Sequence, residues 1–364
     1  MKIIHSADQH LDSRMKTHLG DGRARERKNE LLKTFMNMVS YAAEHGVEAI
    51  LLCGDLFDTK TVAASERKAV EAAIVDNPSI TFFYLKGNHD NNSFLASLEE
   101  APSNLKLFGE GWTGYHIGNR ITVTGAELFS ENSGILYNSL SLNASDINIV
   151  MLHGQENNYG VKDKTEIVAL GELRNKNIDY LALGHIHSYK RETLDARGVY
   201  CYSGCLEGRG FDECGDKGFV LLDINEDTGA VASEFIPFAS RRLHEIHLDI
   251  SDCMNTPDIK ALFDSRRAAE DFNDRDLYKI VLEGRVDIEC QKNTDYLGTF
   301  YKDDYYYVKF VDNTEYKVDY EAFALDESLK GEFIRTVRAR TDIDDEQKAR
   351  IVRIGIAMLR GEGI

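Results

Sequence analysis

The sequence predicts an α/β protein, and three observations carry that expectation. Five short apolar runs each end in a cluster of polar, metal-type side chains: KIIHSADQH, VEAILLCGDLFD, ITFFYLKGNHD, INIVMLHG and IDYLALGHIH. Apolar, often β-branched runs of this kind between polar segments read as buried strands. The stretches joining the first three runs have helical periodicity, and the later runs follow one another without long helices.

Taken in order, the first helix is expected over residues 26–45, where Leu31, Leu32, Phe35, Met38, Val39 and Ala42 recur at helical spacing and Gly46 follows as a C-cap. A second is expected over 63–75. In such a β-α-β-α-β opening, ligands bind beyond the carboxyl ends of the strands, where all five polar clusters lie. RITVTGAEL, GVYCYSG, GFVLLDI and AVASEFIPF read as strands of a mixed or antiparallel sheet. Past Pro237 the pattern changes. RRLHEIHLDI alternates as an edge-like strand, and a helix follows with Thr256 as N-cap and Pro257 at its first position. A hairpin, YYYVKFVDNTEYKV, is expected to turn at Asp312 and Asn313, and two helices near 327–340 and 344–360 close the sequence. The expected domains are therefore 1–240, an accessory or capping domain over 241–320, and a C-terminal helical segment over 321–364.

The 364 residues include 61 Asp and Glu against 43 Lys and Arg, a net charge of −18, and 43% are hydrophobic. This composition supports a folded core and excludes a disordered chain. Six cysteines without a CxxC pair, no apolar run of membrane-spanning length and no signal-peptide pattern lead to the expectation of a cytoplasmic protein with reduced thiols. The charge itself argues against unaided binding to nucleic acid, whose affinity comes largely from Lys and Arg on phosphates.

Asp8 and His10 follow the first strand, Asp55 the second, Asn88 the third, His153 the fourth, and His185 and His187 the fifth. Seven O and N donors are too many for one tetrahedral ion and suit two metals sharing a carboxylate. The donor mixture favours Mn²⁺, with Fe²⁺ or Zn²⁺ as alternatives.

In this order D-x-H, G-D-x-x-D, G-N-H-D, H-G and G-H-x-H resemble the motifs of calcineurin-like metallophosphoesterases. HSADQHLDS, GDLFD, LALGHIH and YSGCLEGRGFDECGDKGF further resemble segments of SbcD-type DNA repair exonucleases. The resemblance implies a two-sheet α/β/β/α sandwich over roughly 1–240, followed by a smaller α+β accessory domain. It implies that Asp8, His10 and His187 hold one divalent ion, that Asn88, His153 and His185 hold the other, and that Asp55 bridges both. His89 would face the scissile phosphate outside the coordination shell, with Asp58 orienting it and Asn88 assisting the transition state. The activity implied is a DNA exonuclease or phosphodiesterase in which hydroxide at the dinuclear centre attacks phosphorus. A small-molecule or cyclic-nucleotide phosphodiesterase using the same centre is the alternative. The implied partners are DNA and an SMC-like coiled-coil ATPase, and a homodimer is a further expectation. Asp58, where purple acid phosphatases carry Tyr, and Asp90, where phosphoprotein phosphatases carry Glu, disfavour those subfamilies.

Other signals have two readings each. Arg14, Lys16, Arg23, Arg25, Arg27 and Lys28 crowd the segment after the first motif and either grip a DNA backbone or form a solvated helix start. Arg209 and Phe211 either track a strand of DNA or belong to a Gly-rich turn. Tyr305 and Tyr307 share one face, either as core or as a platform for bases. Ile351, Ile354 and Met358, with Gly355, Val352 and Leu359 beside them, form a stripe that either docks a partner or packs on Leu329, Phe333 and Val337.

Overall fold

In the computed structural model, which describes residues 1–15, 19–58, 62–98, 100–129, 132–156 and 166–359, the apolar runs become the central strands of two sheets. The first sheet has the order Ala230–Pro237, Gly218–Asn225, Lys2–Ser6, Ala49–Cys53, Thr81–Leu85, Leu105–Leu107. The second runs Lys190–Thr193, Val199–Tyr202, Tyr180–Gly184, Ile147–His153, Ile121–Gly125, Thr113–Ile117. Because successive side chains alternate across a strand, Ile3, Leu51 and Phe83 face inward against Val123, Met151 and Ala182 of the opposite sheet. Ile4, Ile50 and Phe82 face outward and are covered by Phe35, Met38 and Val39 of the helix Asp21–Glu44 and by Val70 and Ile74 of Ala64–Val75. The outer face of the second sheet is closed by Leu136 and Leu173, on the helices Ser133–Ser139 and Leu170–Leu173. The layers are thus α/β/β/α.

Two expectations change here. The later strands do not form one mixed sheet: Val199–Tyr202 lies parallel to Tyr180–Gly184, whereas Gly218–Asn225 returns to the first sheet, antiparallel to Lys2–Ser6. The first helix starts at Asp21 and so takes in the basic segment, leaving Arg23 and Arg25 exposed but burying Arg27. Arg27 donates to Glu207 at 3.2 Å and to the Gly208 carbonyl at 2.7 Å. A buried guanidinium needs such partners, and Arg27 is therefore part of the scaffold.

The chain divides into two units, Met1–Arg242 and Leu243–Ile364. In the second, three parallel strands, Leu243–Asp249, Leu277–Glu283 and Tyr307–Asp312, carry the helices Thr256–Ala269 and Thr294–Phe300. Ile259, Phe263, Leu297 and Tyr301 pack on Ile280, Leu282 and Phe310. The N-cap is Asn255 and not Thr256, because the Asn255 amide oxygen accepts the Asp258 N–H at 3.0 Å. The expected hairpin is absent. Asp312 accepts the Thr314 N–H at 3.0 Å, and the chain then continues forward, with Asn313 donating to Leu282 and Glu315 to Gly284. Glu315–Lys317 thereby pairs in parallel with Arg285–Asp287. Tyr305 is core, packed beside Phe272 and Tyr278, and Tyr306 and Tyr307 are half-buried.

The final helices, Leu329–Arg338 and Asp345–Leu359, form a helical hairpin in which Ile334 and Val337 meet Val352 and Ile356 over Ile288. The packed stripe is rotated from the expected one: Val352 and Ile356 are buried, whereas Ile351 and Met358 are exposed. Among the described residues no helix is long and apolar enough to cross a membrane.

Candidate metal centre

The carboxyl ends of five strands, three from the first sheet and two from the second, converge on one region, and the backbone there is strained. Asp8, His10, Asp55 and His185 have φ values of 53°, 46°, 52° and 97°. Left-handed conformations of non-glycine residues cost about 1–3 kcal/mol each and persist only when their surroundings hold them. They are held: Asp8 N–H donates to the Gly54 carbonyl at 3.1 Å, His10 N–H to that of Asp55 at 2.9 Å, and His185 N–H to the Asp8 carboxylate at 3.0 Å. The glycines beside them make room for functional groups. A Cβ at Gly54 would lie 2.1 Å from His153 Nδ1, and one at Gly87 would lie 2.3 Å from Asp55 Oδ1.

Within this frame Asp8, His10 and His187 place ligand atoms close together, as do Asp8, Asp55 and His153. His10 Nε2 is 3.1 Å from His187 Nε2 and 3.7 Å from Asp55 Oδ2. His153 Nε2 is 3.1 Å from Asn88 Oδ1 and 3.5 Å from Asp55 Oδ2. His185 stands edge-on to His153, with ring centroids 5.3 Å apart.

The far sides of these rings explain the near ones. Asp58 Oδ1 lies 3.0 Å from His10 Nδ1, Glu213 Oε1 lies 2.7 Å from His187 Nδ1, and the Cys53 carbonyl lies 2.9 Å from His153 Nδ1. At His187 and His153 the acceptor holds the proton on Nδ1 and turns the Nε2 lone pair inward; at His10 the Asp58 carboxylate stands close to Nδ1 without hydrogen-bond geometry. Nε2 lone pairs facing one another and facing carboxylate and amide oxygens repel unless a cation lies between them. The donor set therefore fits divalent metal ions.

The electrostatics agree. Burial alone would raise the Asp55 carboxyl, but His153 and His10 hold it well below the usual carboxylate range. Burial alone would lower His153, and Asp55 and Asp8 outweigh that and hold it up at about 10. A cation in the cage would take over from that proton. Burial and then Asp55 push Asp90 up to about 6, against the N–H groups of Phe57, Gly87 and Leu56 that its carboxylate accepts.

His89 is different. Its side chain is 45% exposed, its Nδ1 is 3.5 Å from Asp58 Oδ1, and its N–H donates to Asp55 Oδ1 at 2.9 Å. Asp58 is thus shared between His10, the nearer ring, and His89. It is also 3.0 Å from Arg209 Nη1, and Arg209 Nη2 lies 3.0 Å from Glu213. Arg209 accordingly ties together the two carboxylates beside His10 and His187. Arg14, Arg23 and Arg25 are exposed, Lys28 pairs with Asp12, and Lys16 lies outside the described residues.

Two acidic residues of the site escape sequence reading. Glu213 sits in GRGFDECG, a segment that resembles the exonuclease family but in which only Arg209 and Phe211 stood out as candidate contacts. Glu166, whose Oε2 is 3.9 Å from His185 Nδ1, groups with His153 and His185 and has no motif around it.

Residues 1–189 match the family profile described as calcineurin-like phosphoesterase. Among curated proteins the chain is similar to the "Uncharacterized metallophosphoesterase YhaO" of Bacillus subtilis, with 28% identity over 260 residues covering 68% of this chain and 61% of the relative. It is 22% identical to the "DNA double-strand break repair protein Mre11" of Sulfolobus acidocaldarius over 269 residues, 68% of this chain and 67% of the relative. The protein of that same description from Saccharolobus solfataricus is 27% identical over 254 residues, 62% of this chain and 61% of the relative. The chain spans about three fifths to two thirds of the length of these relatives.

Proposed function

The chain belongs to the calcineurin-like phosphoesterase family, and from that premise we propose that it is a two-metal phosphodiesterase acting on DNA, an exonuclease of the SbcD type. The observation that carries the reading is the pair of inward-facing donor groups that meet at Asp55, with one exposed histidine beside them. Asp8, His10 and His187 would hold one ion, Asn88, His153 and His185 the other, and Asp55 both, with Mn²⁺ the ion best suited to these donors. When bound, two such ions supply a nucleophile at neutral pH and positive charge for the phosphoryl oxygens.

The protein's own groups do the rest. Glu213 and the Cys53 carbonyl keep His187 and His153 in one tautomer, Asp58 stands beside His10, and Arg209 keeps the two carboxylates in position. His89, beside Asp58 at the exposed rim, protonates the departing oxygen, as general acids of this kind do. Asn88 orients the phosphoryl group.

DNA as the substrate is supported by relatives described as DNA double-strand break repair proteins. The charge of −18 predicts weak grip on DNA outside the centre, where bound cations reverse the local field. An SMC-like coiled-coil ATPase partner would supply that grip. The test is Mn²⁺-dependent release of nucleotides from linear duplex and single-stranded DNA, run beside bis-p-nitrophenyl phosphate and cyclic AMP. Cleavage of DNA and of the small diester is expected; activity confined to cyclic AMP would overturn the nuclease reading.

A further inference from the structure

Within the unit Leu243–Ile364 four cationic side chains gather at one pocket. A concave pocket of about 400 Å³ is lined by Arg285, Lys317, Arg338 and Lys348, with Tyr320 and a single carboxylate, Asp345, beside them. The fold brings these cations together from four elements. Arg285 and Lys317 sit on the two strands of the Arg285–Asp287 and Glu315–Lys317 ladder, Arg338 ends one helix of the C-terminal hairpin, and Lys348 lies in the first turn of the other.

Their existing partners are exposed. Arg285 pairs with Glu315 at 3.6 Å, Arg338 with Glu321 at 2.6 Å, and Lys348 with Asp345 at 3.4 Å. Surface pairs of this kind hold weakly and yield to a stronger anion. Lys317 has no ion pair or side-chain hydrogen bond among the described residues. Arg338 lies over the Tyr320 ring, 5.4 Å from its centroid, which fixes the direction of the guanidinium fork. The Tyr320 hydroxyl is shut off from water and has no hydrogen-bond partner among the described residues.

We propose that this pocket binds a small phosphorylated ligand of nucleotide size, with the phosphate dianion taken by Lys317, Lys348 and Arg285. The volume lies in the range of small-ligand pockets. Asp345 in the pocket, with Glu315 and Glu321 paired to Arg285 and Arg338 beside it, favours a compact anion over a polynucleotide, whose successive phosphates would have to pass these acids. The site is independent of the metal centre and of the proposed nuclease activity.

The experiment is isothermal titration calorimetry of the full chain with dAMP, inorganic phosphate and a single-stranded oligonucleotide. The variant is Arg285→Glu with Lys317→Glu, both exposed positions. The double reversal should weaken dAMP binding by about tenfold or more, as lost charge-assisted hydrogen bonds do. Hydrolysis of bis-p-nitrophenyl phosphate should be unchanged in it. Phosphate alone behaving as dAMP does would also support the site. Affinity for dAMP that survives the double reversal would locate the ligand elsewhere and overturn the proposal. So would binding confined to the oligonucleotide, or none by dAMP or phosphate up to about 5 mM, a range in which weak ligands still register.

Discussion

His187 in the first unit and His244 in the second have the same kind of partner: a Glu213 oxygen 2.7 Å from Nδ1 in one, an Asp276 oxygen 2.9 Å from Nε2 in the other. His247, with Glu283 at 2.8 Å, makes a third such pair. The difference lies on the other side of each ring. His187 turns its free nitrogen toward His10, and Asp8 stands with them, whereas His244 stacks flat on Tyr278 at 4.8 Å and His247 is half exposed. A histidine–carboxylate pair is thus common on a protein surface and implies little. The distinguishing feature is convergence of several acceptors on one volume, and in the first unit that convergence is imposed by strand ends whose backbone is bent into the left-handed region.

Substitutions on the two sides of this contrast should behave very differently. Asp55→Ala removes the carboxylate that faces both His10 and His153 and should abolish binding of both ions together with turnover, read by metal analysis after dialysis; Asp276→Asn should change neither. A fully metallated Asp55→Ala protein would break the contrast. His89→Ala should retain both ions and lose turnover by about 10² to 10⁴, the usual weight of a general acid. An empty His89→Ala protein would put that ring inside the coordination shell. Glu213→Gln should lower metal affinity by about 10- to 100-fold through loss of the acceptor behind His187. Competition with a chromogenic chelator would measure it, and an unchanged affinity would reduce Glu213 to a surface pair like Glu283.

A buried histidine with no carboxylate bears on stability and not on the ions. His5 lies 2.9 Å from the Tyr180 hydroxyl and 3.2 Å from the Leu183 carbonyl, and burial holds it down at about 3, against 6.5 ordinarily. The unfolded chain therefore takes up this proton first. The contribution to stability is present above pH 6.5 and is lost as the pH falls toward 3, at roughly 1.4 kcal/mol per unit. Denaturant titrations should show that slope reduced in His5→Gln; an unchanged slope would mean that His5 is protonated in the fold.

Which parts of this were legible follows from how local their causes are. The strands and the helices Asp21–Glu44 and Ala64–Val75 announce themselves because burial periodicity is written within each segment. The seven strand-end donors can be picked out for the same reason, since each directly follows its own apolar run. Strand pairing is not local. YYYVKFVDNTEYKV has the composition of a hairpin, yet the partner strands lie in Leu277–Glu283 and Arg285–Asp287, and nothing between Tyr305 and Val318 specifies them. The choice of Asn255 over the adjacent Thr256 as cap turned on which side chain the backbone carried past the Asp258 N–H. Glu213 and Glu166 were hidden among 61 acidic residues, and only the folded chain brings them to His187 and His185. Arg209 invited a reading as a DNA contact because a lone sequence cannot show that Asp58 and Glu213 flank it.

The measurement that bears most directly on the centre is a Mn²⁺ titration of the metal-free chain, following bound metal and hydrolysis of bis-p-nitrophenyl phosphate in the same samples. Two donor groups joined at Asp55 predict binding that saturates at two ions per chain, turnover that appears as the second is filled, and loss of both on chelation. Saturation at one ion, or turnover that survives complete removal of metal, would contradict a dinuclear centre.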